Sequence, residues 1–459
     1  MKKSLLSIAF AFLCASVFAE AKVYYVDLAD GTKITGNPIK EYKKEAAGKA
    51  NKTMLIYPHV EYQTMSGIGG CFNEIGGVAL MSLDEKAREE VMANLFSKDG
   101  AYFSICRTAI GSSDFGVSAY SYADTKDDYE MEHFTIEREM TSVIPYIKMA
   151  LKYNPEMQLF GSPWSPPAWM KQSGEMDKGK DTGAKNTLIK NSKIYKAYAK
   201  YFRLYVEKYA EQGITVDRIM VQNETDMNAK YPSNFMSAEE MGDFIIKYLR
   251  PEFKKNKTKA EIWAGTFRTA KLNLHGLEYA SNKEYVDAVE GIGIQYTGDN
   301  YISDINLLSQ NKPLMHTESI CYKSQNTMAQ GRSRFGEVAK YVNRGSENFA
   351  YWNMILDEQK KSGWDWKQNS LIVIDRNTKK VTYNPDFAAM AIMGKYIRPG
   401  AVRIGAFPGE GSMTFKYEGK TYVFVENTTD KDVIYNITEP GKENAKAAVP
   451  AQSIAVIIY

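Results

Sequence analysis

Two short stretches of this 459-residue chain end an apolar run on an acid. In RIMVQNETD, residues 218–226, a strand-like run passes without a turn signal into Asn223 and Glu224. In KPLMHTES, residues 312–319, a similar run reaches Glu318. Runs this short suit strands buried on both faces of a parallel sheet, so a polar end must emerge where it is used or be neutralised. An isolated Asn-Glu pair also suits a helix N-cap or a surface loop, and the rest of the chain has to decide. Two carboxyls converging on one hollow are what glycosidic bond cleavage requires. One arrives protonated to hand a proton to the leaving oxygen; the other is ionised, to attack the anomeric carbon or stabilise its developing charge. Close approach divides the roles, because the charge of one raises the pKa of the other. Trp164 and Trp352 offer surfaces for the C–H face of a sugar ring, while Arg107, Asp114 and amides can hydrogen-bond its hydroxyls. SPWSPPAWM, with three prolines around Trp164, reads as a rigid loop shaping a pocket.

The elements that must carry these residues repeat along the chain. Eight apolar runs, near 66–73, 101–111, 157–165, 218–225, 260–267, 291–298, 312–319 and 348–355, alternate with helix-length amphipathic stretches. That is the arithmetic of a (β/α)₈ TIM barrel, whose active site forms at the C-terminal ends of its strands. Arg107 and Asp114 then follow the second strand, Trp164 the third, Asn223 and Glu224 the fourth, Glu318 the seventh, and Trp352 and Asn353 the eighth. Glu224 and Glu318 fall on opposite sides of the rim. Ser82, three residues before Glu85, predicts a capping box opening a helix. Tyr195, Tyr198, Phe202, Tyr205 and Tyr209 recur at steps of three and four before Gly213, which predicts a helix face laid against the barrel rather than a nucleic-acid surface. His316, two residues before Glu318, reads as a core or supporting histidine.

The ends of the chain have another texture. MKKSLLSIAFAFLCASVFAEAK places Lys2 and Lys3 before an apolar stretch and Val17-Phe18-Ala19 at a small-residue cleavage site. Residues 1–19 are therefore expected to be a secretory signal peptide; Leu13 before Cys14 ranks lipid anchoring below cleavage. The mature protein is expected outside the cytoplasm, secreted or periplasmic, with no integral membrane span. Residues 20–62 read as N-terminal strands that join an antiparallel β-sandwich completed by 399–459, flanking a barrel over 63–398. Without Lys2 and Lys3 the 58 basic residues become 56 against 55 acidic ones, a net charge of +1 that offers no general attraction for nucleic acid or anionic membrane. Cys71, Cys106 and Cys321 form no disulfide framework and read as buried thiols. The histidines, His59, His133, His275 and His316, lack metal-ligand spacing, and GIGGCFNEIGG lacks the pattern of a phosphate loop. Neither metal nor cofactor is expected.

GIGGCFNEIGG, CRTAIGSSDFGVSAYSYADT, GSPWSPPAWMK, QNET, HTES and YWNMILD together resemble the successive blocks of glycoside hydrolase family 30, the group of glucosylceramidases and β-1,6-glucanases. The resemblance covers nearly the whole mature chain. It implies retention of anomeric configuration, with Glu224 as acid/base and Glu318 as nucleophile. It also implies that Arg107, Asp114, Trp164, Asn223, Tyr296, Trp352 and Asn369 line the subsite of the sugar being cleaved. Three departures stand out. The family's His-Trp-Tyr after the sixth strand reads Gln295-Tyr296-Thr297, which removes the phenol from the third position; Thr225 follows the acid/base where Pro is usual; and Ile320 stands where some members carry Cys. The expectation is a retaining β-glycosidase for glucose-type glycans, β-1,6-glucan or a β-glucoside foremost. The alternatives are a β-xylosidase, β-fucosidase or β-galactanase, or a glycan-binding protein with little turnover.

Overall fold

The structure is a computed structural model that describes residues 20–31, 34–268 and 274–459; the expected signal peptide lies outside the described residues. Each apolar run forms a parallel strand: Gly67–Phe72, Ile105–Ala109, Gln158–Ser162, Arg218–Met220, Glu261–Phe267, Gly291–Gln295, Leu314–Glu318 and Asn348–Asn353. They hydrogen-bond in chain order, and the eighth returns to pair with the first. All eight are buried over all or all but one of their positions, because helices cover the outside and side chains fill the inside. Ile105, Phe160, Met220, Trp263, Met315 and Ala350 form that inner packing.

The barrel closes differently at one seam. Between the seventh and eighth strands the backbone forms a single isolated bridge, Leu314 to Ser346. Side chains complete the closure: Ser346 Oγ accepts from the His316 amide at 2.9 Å, and Asn348 Nδ2 donates to the His316 carbonyl at 3.0 Å. The Ala350 amide donates to His316 Nδ1 at 3.3 Å, and the Trp352 amide to Ser319 Oγ at 3.1 Å. His316 is thus a buried closure residue, stacked on Phe349 with ring centres 3.9 Å apart. Burial holds its imidazole well below the usual pKa, in the neutral form that lets Nδ1 accept.

The helix Ser192–Glu211 buries Tyr198, Phe202, Tyr205 and Tyr209, so the aromatic stripe is a packing face. One helix start differs from the sequence expectation. The helix Glu85–Phe96 is capped by Asp84, whose side chain accepts from the Ala87 amide at 2.8 Å, while Ser82 ends the preceding helix Glu74–Met81. Buried Leu83 separates the two helices, leaving Asp84 at the position whose side chain can reach the free amides. A full capping box occurs instead at Thr327 and Gln330.

The terminal strands form one nine-stranded sheet, antiparallel except where Lys52–Thr64 meets Val433–Thr438. Lys52–Thr64 is long and shifts register twice against Val402–Phe407, and such irregularities bend a sheet. Val23, Val423, Val425 and Ile457 from one end of the sheet share a buried cluster with Met54, Ile56, Ile437 and Val449 from the other. The helix Pro385–Tyr396, apolar almost all round, packs between the first barrel strand and the terminal strands Lys22–Asp27 and Ser453–Ile458.

Candidate active site

The polar ends of the strands meet at the barrel mouth, and Arg107 ties them together. It projects from the second strand, fully buried, with all five of its N–H donors engaged. Its Nη1 donates to Glu318 Oε2 at 2.7 Å and to the Thr317 carbonyl at 3.2 Å. Nη2 reaches Asn223 Oδ1 at 2.7 Å and Ser162 Oγ at 2.6 Å, and Nε reaches the same serine at 3.1 Å. The sequence suggested a residue lining the sugar subsite. The structure shows a guanidinium spent on orienting Glu318 and Asn223, with Trp164 and Trp352 stacked over it, 4.4 and 5.7 Å from the two ring centres.

Glu318 accepts a second bond on its other oxygen, from the Tyr296 hydroxyl at 2.5 Å. The phenol missing from the third position of Gln295-Tyr296-Thr297 is therefore supplied by the second. Tyr296 reaches Glu318 from a left-handed backbone, φ 48°. Glu224 is also left-handed, φ 46°. Such conformations cost a non-glycine residue of order 1 kcal/mol and persist where packing over-determines them, as at functional sites.

Glu224 is 6 % exposed and Glu318 4 %, so both are drawn in from the rim yet open to it. Glu224 Oε1 accepts from Gln295 Nε2 at 3.1 Å and lies 3.6 Å from the Arg268 guanidinium. Arg268 itself is held by two hydrogen bonds to Asp226, at 2.8 and 3.2 Å. Burial lifts the Glu224 carboxyl to about 7; Arg268 opposes the rise and the charge of Glu318 adds to it. The two carboxyls thus stand within each other's field, one ready to carry a proton at neutral pH and the other paired with a fixed cation.

Among the described residues, the buried Asp114 Oδ1 and Trp352 Nε1 at the mouth have no protein partner. Burial, with the charges of Glu318 and Glu224, pushes the Asp114 carboxyl well above the carboxylate range. Buried polar groups take hydrogen-bond partners, and an acceptor and a donor at an open mouth suit sugar hydroxyls. Trp352 stacks on Trp164 at 5.0 Å and meets Phe115 edge-on. Tyr231, unremarked in the sequence, packs against this aromatic cluster and lies in the field of all three carboxyls. Asn369 is placed otherwise: its side chain accepts from the Asn326 amide and donates to Gln330, bracing the loop after the seventh strand. Gln295 is marked in the sequence by its place in the departing family motif, whereas Arg268 and Tyr231, in the loops after the fifth and fourth strands, join the site with no signal of their own.

The family model described as the glycosyl hydrolase family 30 TIM-barrel domain matches residues 65–397. A putative glucosylceramidase 3 of Caenorhabditis elegans is 28 % identical over 408 residues, covering 84 % of this chain and 77 % of that protein. The endo-1,6-β-D-glucanase neg1 of Aspergillus fumigatus is 24 % identical, covering 85 % and 84 %. Among solved structures, the endo-β1,6-glucanase BT3312 superposes with a TM-score of 0.83 at 22 % identity, over 96 % of this chain and 99 % of that one.

Proposed function

We propose that this chain, which belongs to glycosyl hydrolase family 30, is an exported retaining β-glycosidase that removes β-linked glucose or a similar hexose, with β-1,6-glucan its foremost substrate. The observation that carries the reading is the unlike treatment of two carboxyls at one mouth. Glu318 is fixed by Arg107 and Tyr296, one donor on each oxygen; Glu224 is lifted by burial to about 7.

In the first half-reaction an oxygen of Glu318 attacks the anomeric carbon and forms a glycosyl ester. The bond to the leaving oxygen breaks, and Glu224 gives that oxygen its proton. In the second half-reaction the Glu224 carboxylate takes a proton from water, whose oxygen attacks the same carbon and releases Glu318. Asn223, its Oδ1 held by Arg107, directs its amide hydrogens to the 2-hydroxyl, a contact that strengthens as the oxocarbenium ion forms. Asp114 and the Trp352 indole meet further hydroxyls. The named relatives, glucosylceramidases and β-1,6-glucanases, support a β-glucosyl unit on the side cleaved.

The test is a panel of aryl β-glycosides and β-linked oligosaccharides followed by NMR of the product anomers. Release of a β-configured sugar from β-glucosides supports the reading. An inverted first product, or glycan binding without hydrolysis of any panel member, overturns it. Export is tested separately by N-terminal sequencing of the extracytoplasmic protein, expected to begin at Glu20.

A further inference from the structure

Gln295 is fully buried at the end of the sixth barrel strand, between the fifth and seventh strands. Its Oε1 lies 2.8 Å from the hydroxyl of Thr266 and 3.0 Å from that of Thr317. Thr266 Oγ1 also accepts from the Glu224 amide at 3.4 Å, and of the two acceptors within reach of its own proton Gln295 Oε1 at 2.8 Å is nearer than Asn223 Oδ1 at 3.3 Å. With its oxygen facing two hydroxyl donors, the amide turns Nε2 to Glu224 Oε1 at 3.1 Å. The reverse orientation would set an amide oxygen against the carboxylate at that distance, a repulsive contact whenever Glu224 is ionised.

We infer that Gln295 is a positioning residue for the reaction: locked by Thr266 and Thr317, it gives Glu224 a hydrogen-bond donor that stays the same in both protonation states. The inference rests on the reading of Glu224 as acid/base. That group gives up and recovers a proton in each turnover, and Oε1 can accept from a neutral amide in either state. A titrating group in this place would change charge in the same pH range and merge the two titrations. An imidazole, the group the family motif carries here, is of that kind.

The other groups around Glu224 come from every neighbouring element. Asp114 follows the second strand, Asp226 and Tyr231 lie on its own loop, Arg268 follows the fifth strand, Tyr296 the sixth, and Glu318 ends the seventh. His275 touches the next residue, Thr225, at 3.0 Å. Among these, Tyr296 and Arg268 are held well above neutrality, by burial and by their acidic neighbours respectively. Among the described residues, the neutral amide donor of Gln295 is directed at Glu224.

The effect has a sign. A donor favours the ionised acid, so Gln295→Ala should move the Glu224 midpoint upward by roughly half to one pH unit. Gln295→Glu, nearly isosteric, places a like charge beside it and should move the midpoint up further. Thr317→Val keeps the shape but frees the amide, and the shift should be smaller and in the same direction.

The experiment follows Glu224 by carbon-13 NMR in protein labelled at glutamate side-chain carboxyls, its signal identified by its loss in Glu224→Gln. The alkaline limb of kcat/KM on an aryl β-glucoside is recorded alongside. Upward shifts in both readouts, ordered Gln295→Glu, Gln295→Ala, Thr317→Val, support the inference. A Glu224 midpoint unmoved in folded Gln295→Glu and Thr317→Val overturns it, because a role in packing alone would lower activity equally at every pH. A midpoint that moves in NMR while the kinetic limb stays put instead overturns the reading of Glu224 as acid/base.

Discussion

Glu139 and Glu224 are both carboxyls that burial lifts to about 7, and they serve different ends. Glu139 lies in the helical turn Glu137–Thr141 behind the second barrel strand and takes hydroxyl hydrogens from Tyr120 at 2.8 Å, Tyr122 at 2.7 Å and Tyr209 at 2.6 Å. It is 1 % exposed. Three donors satisfy it, away from the barrel mouth. Glu224 has a single amide donor, a cation at 3.6 Å, and neighbours with unpaired polar atoms at an open mouth. A shifted proton affinity therefore does not by itself mark chemistry. What separates the two is unspent hydrogen-bonding capacity beside a route to substrate.

The largest effect that could break this comparison lies at Glu318. Glu318→Gln should lower turnover by ~10⁴-fold or more while circular dichroism and the melting temperature show an intact fold. The matching change on the structural side, Glu139→Gln, should leave kcat within a few-fold; a catalytic loss as large as at Glu318 would erase the distinction. Next in size, Glu224→Gln should cost roughly 10²–10⁴-fold on substrates with poor leaving groups. The loss should be far smaller for an activated aryl leaving group, which needs no proton to depart, in the step that forms the glycosyl-enzyme. Equal losses across leaving groups would remove Glu224 from acid catalysis. Tyr296→Phe, which removes one of the two donors on Glu318, should reduce kcat/KM by about 10–100-fold. An unchanged kcat/KM would mean that Arg107 alone orients the carboxylate.

The smallest effect is one of stability. In the folded state Glu139 holds its proton up to about 7, whereas in the unfolded chain it lets go near the usual glutamate value of roughly 4.3. The folded state therefore binds more protons in that interval. Its contribution is fully present below the unfolded pKa and is lost as pH rises through the folded one. Glu139→Gln should flatten the decline in melting temperature between pH 5 and 7.5 by about 2 °C, measured by scanning fluorimetry. An identical pH slope in both proteins would mean that Glu139 does not titrate there. In the same window kcat/KM of the wild type should fall above about pH 7 as Glu224 deprotonates, and Glu139→Gln should leave that limb in place.

The comparison also marks how far the sequence could be read. All eight barrel strands are legible because each is a short apolar run of the kind that is buried on both faces of a parallel sheet. Glu224 and Glu318 were visible for the same reason, since an acid at the end of a buried strand needs an explanation. The ring of phenols around Glu139 was not, because Tyr120, Tyr122 and Tyr209 belong to a loop and a helix that only the fold brings together. Tyr296 shows the limit of motif matching. A left-handed residue at the strand end re-aims the side chain, so the phenol arrives from a neighbouring position. Asn369 lies in a loop without periodicity, where the sequence gives no hint of which way a side chain turns. The cap at Asp84 was missed because two competent capping residues stand within three positions, and only packing of Leu83 chooses between them.

The most direct test of the assignment is to trap the covalent species. Incubation with a 2-deoxy-2-fluoro-β-glucoside bearing an activated leaving group should stop turnover, add one fluoroglucosyl unit to the intact mass, and place that unit on the peptide carrying Glu318. A label on any other residue, or steady hydrolysis with inverted product and no adduct, would contradict the double displacement through Glu318.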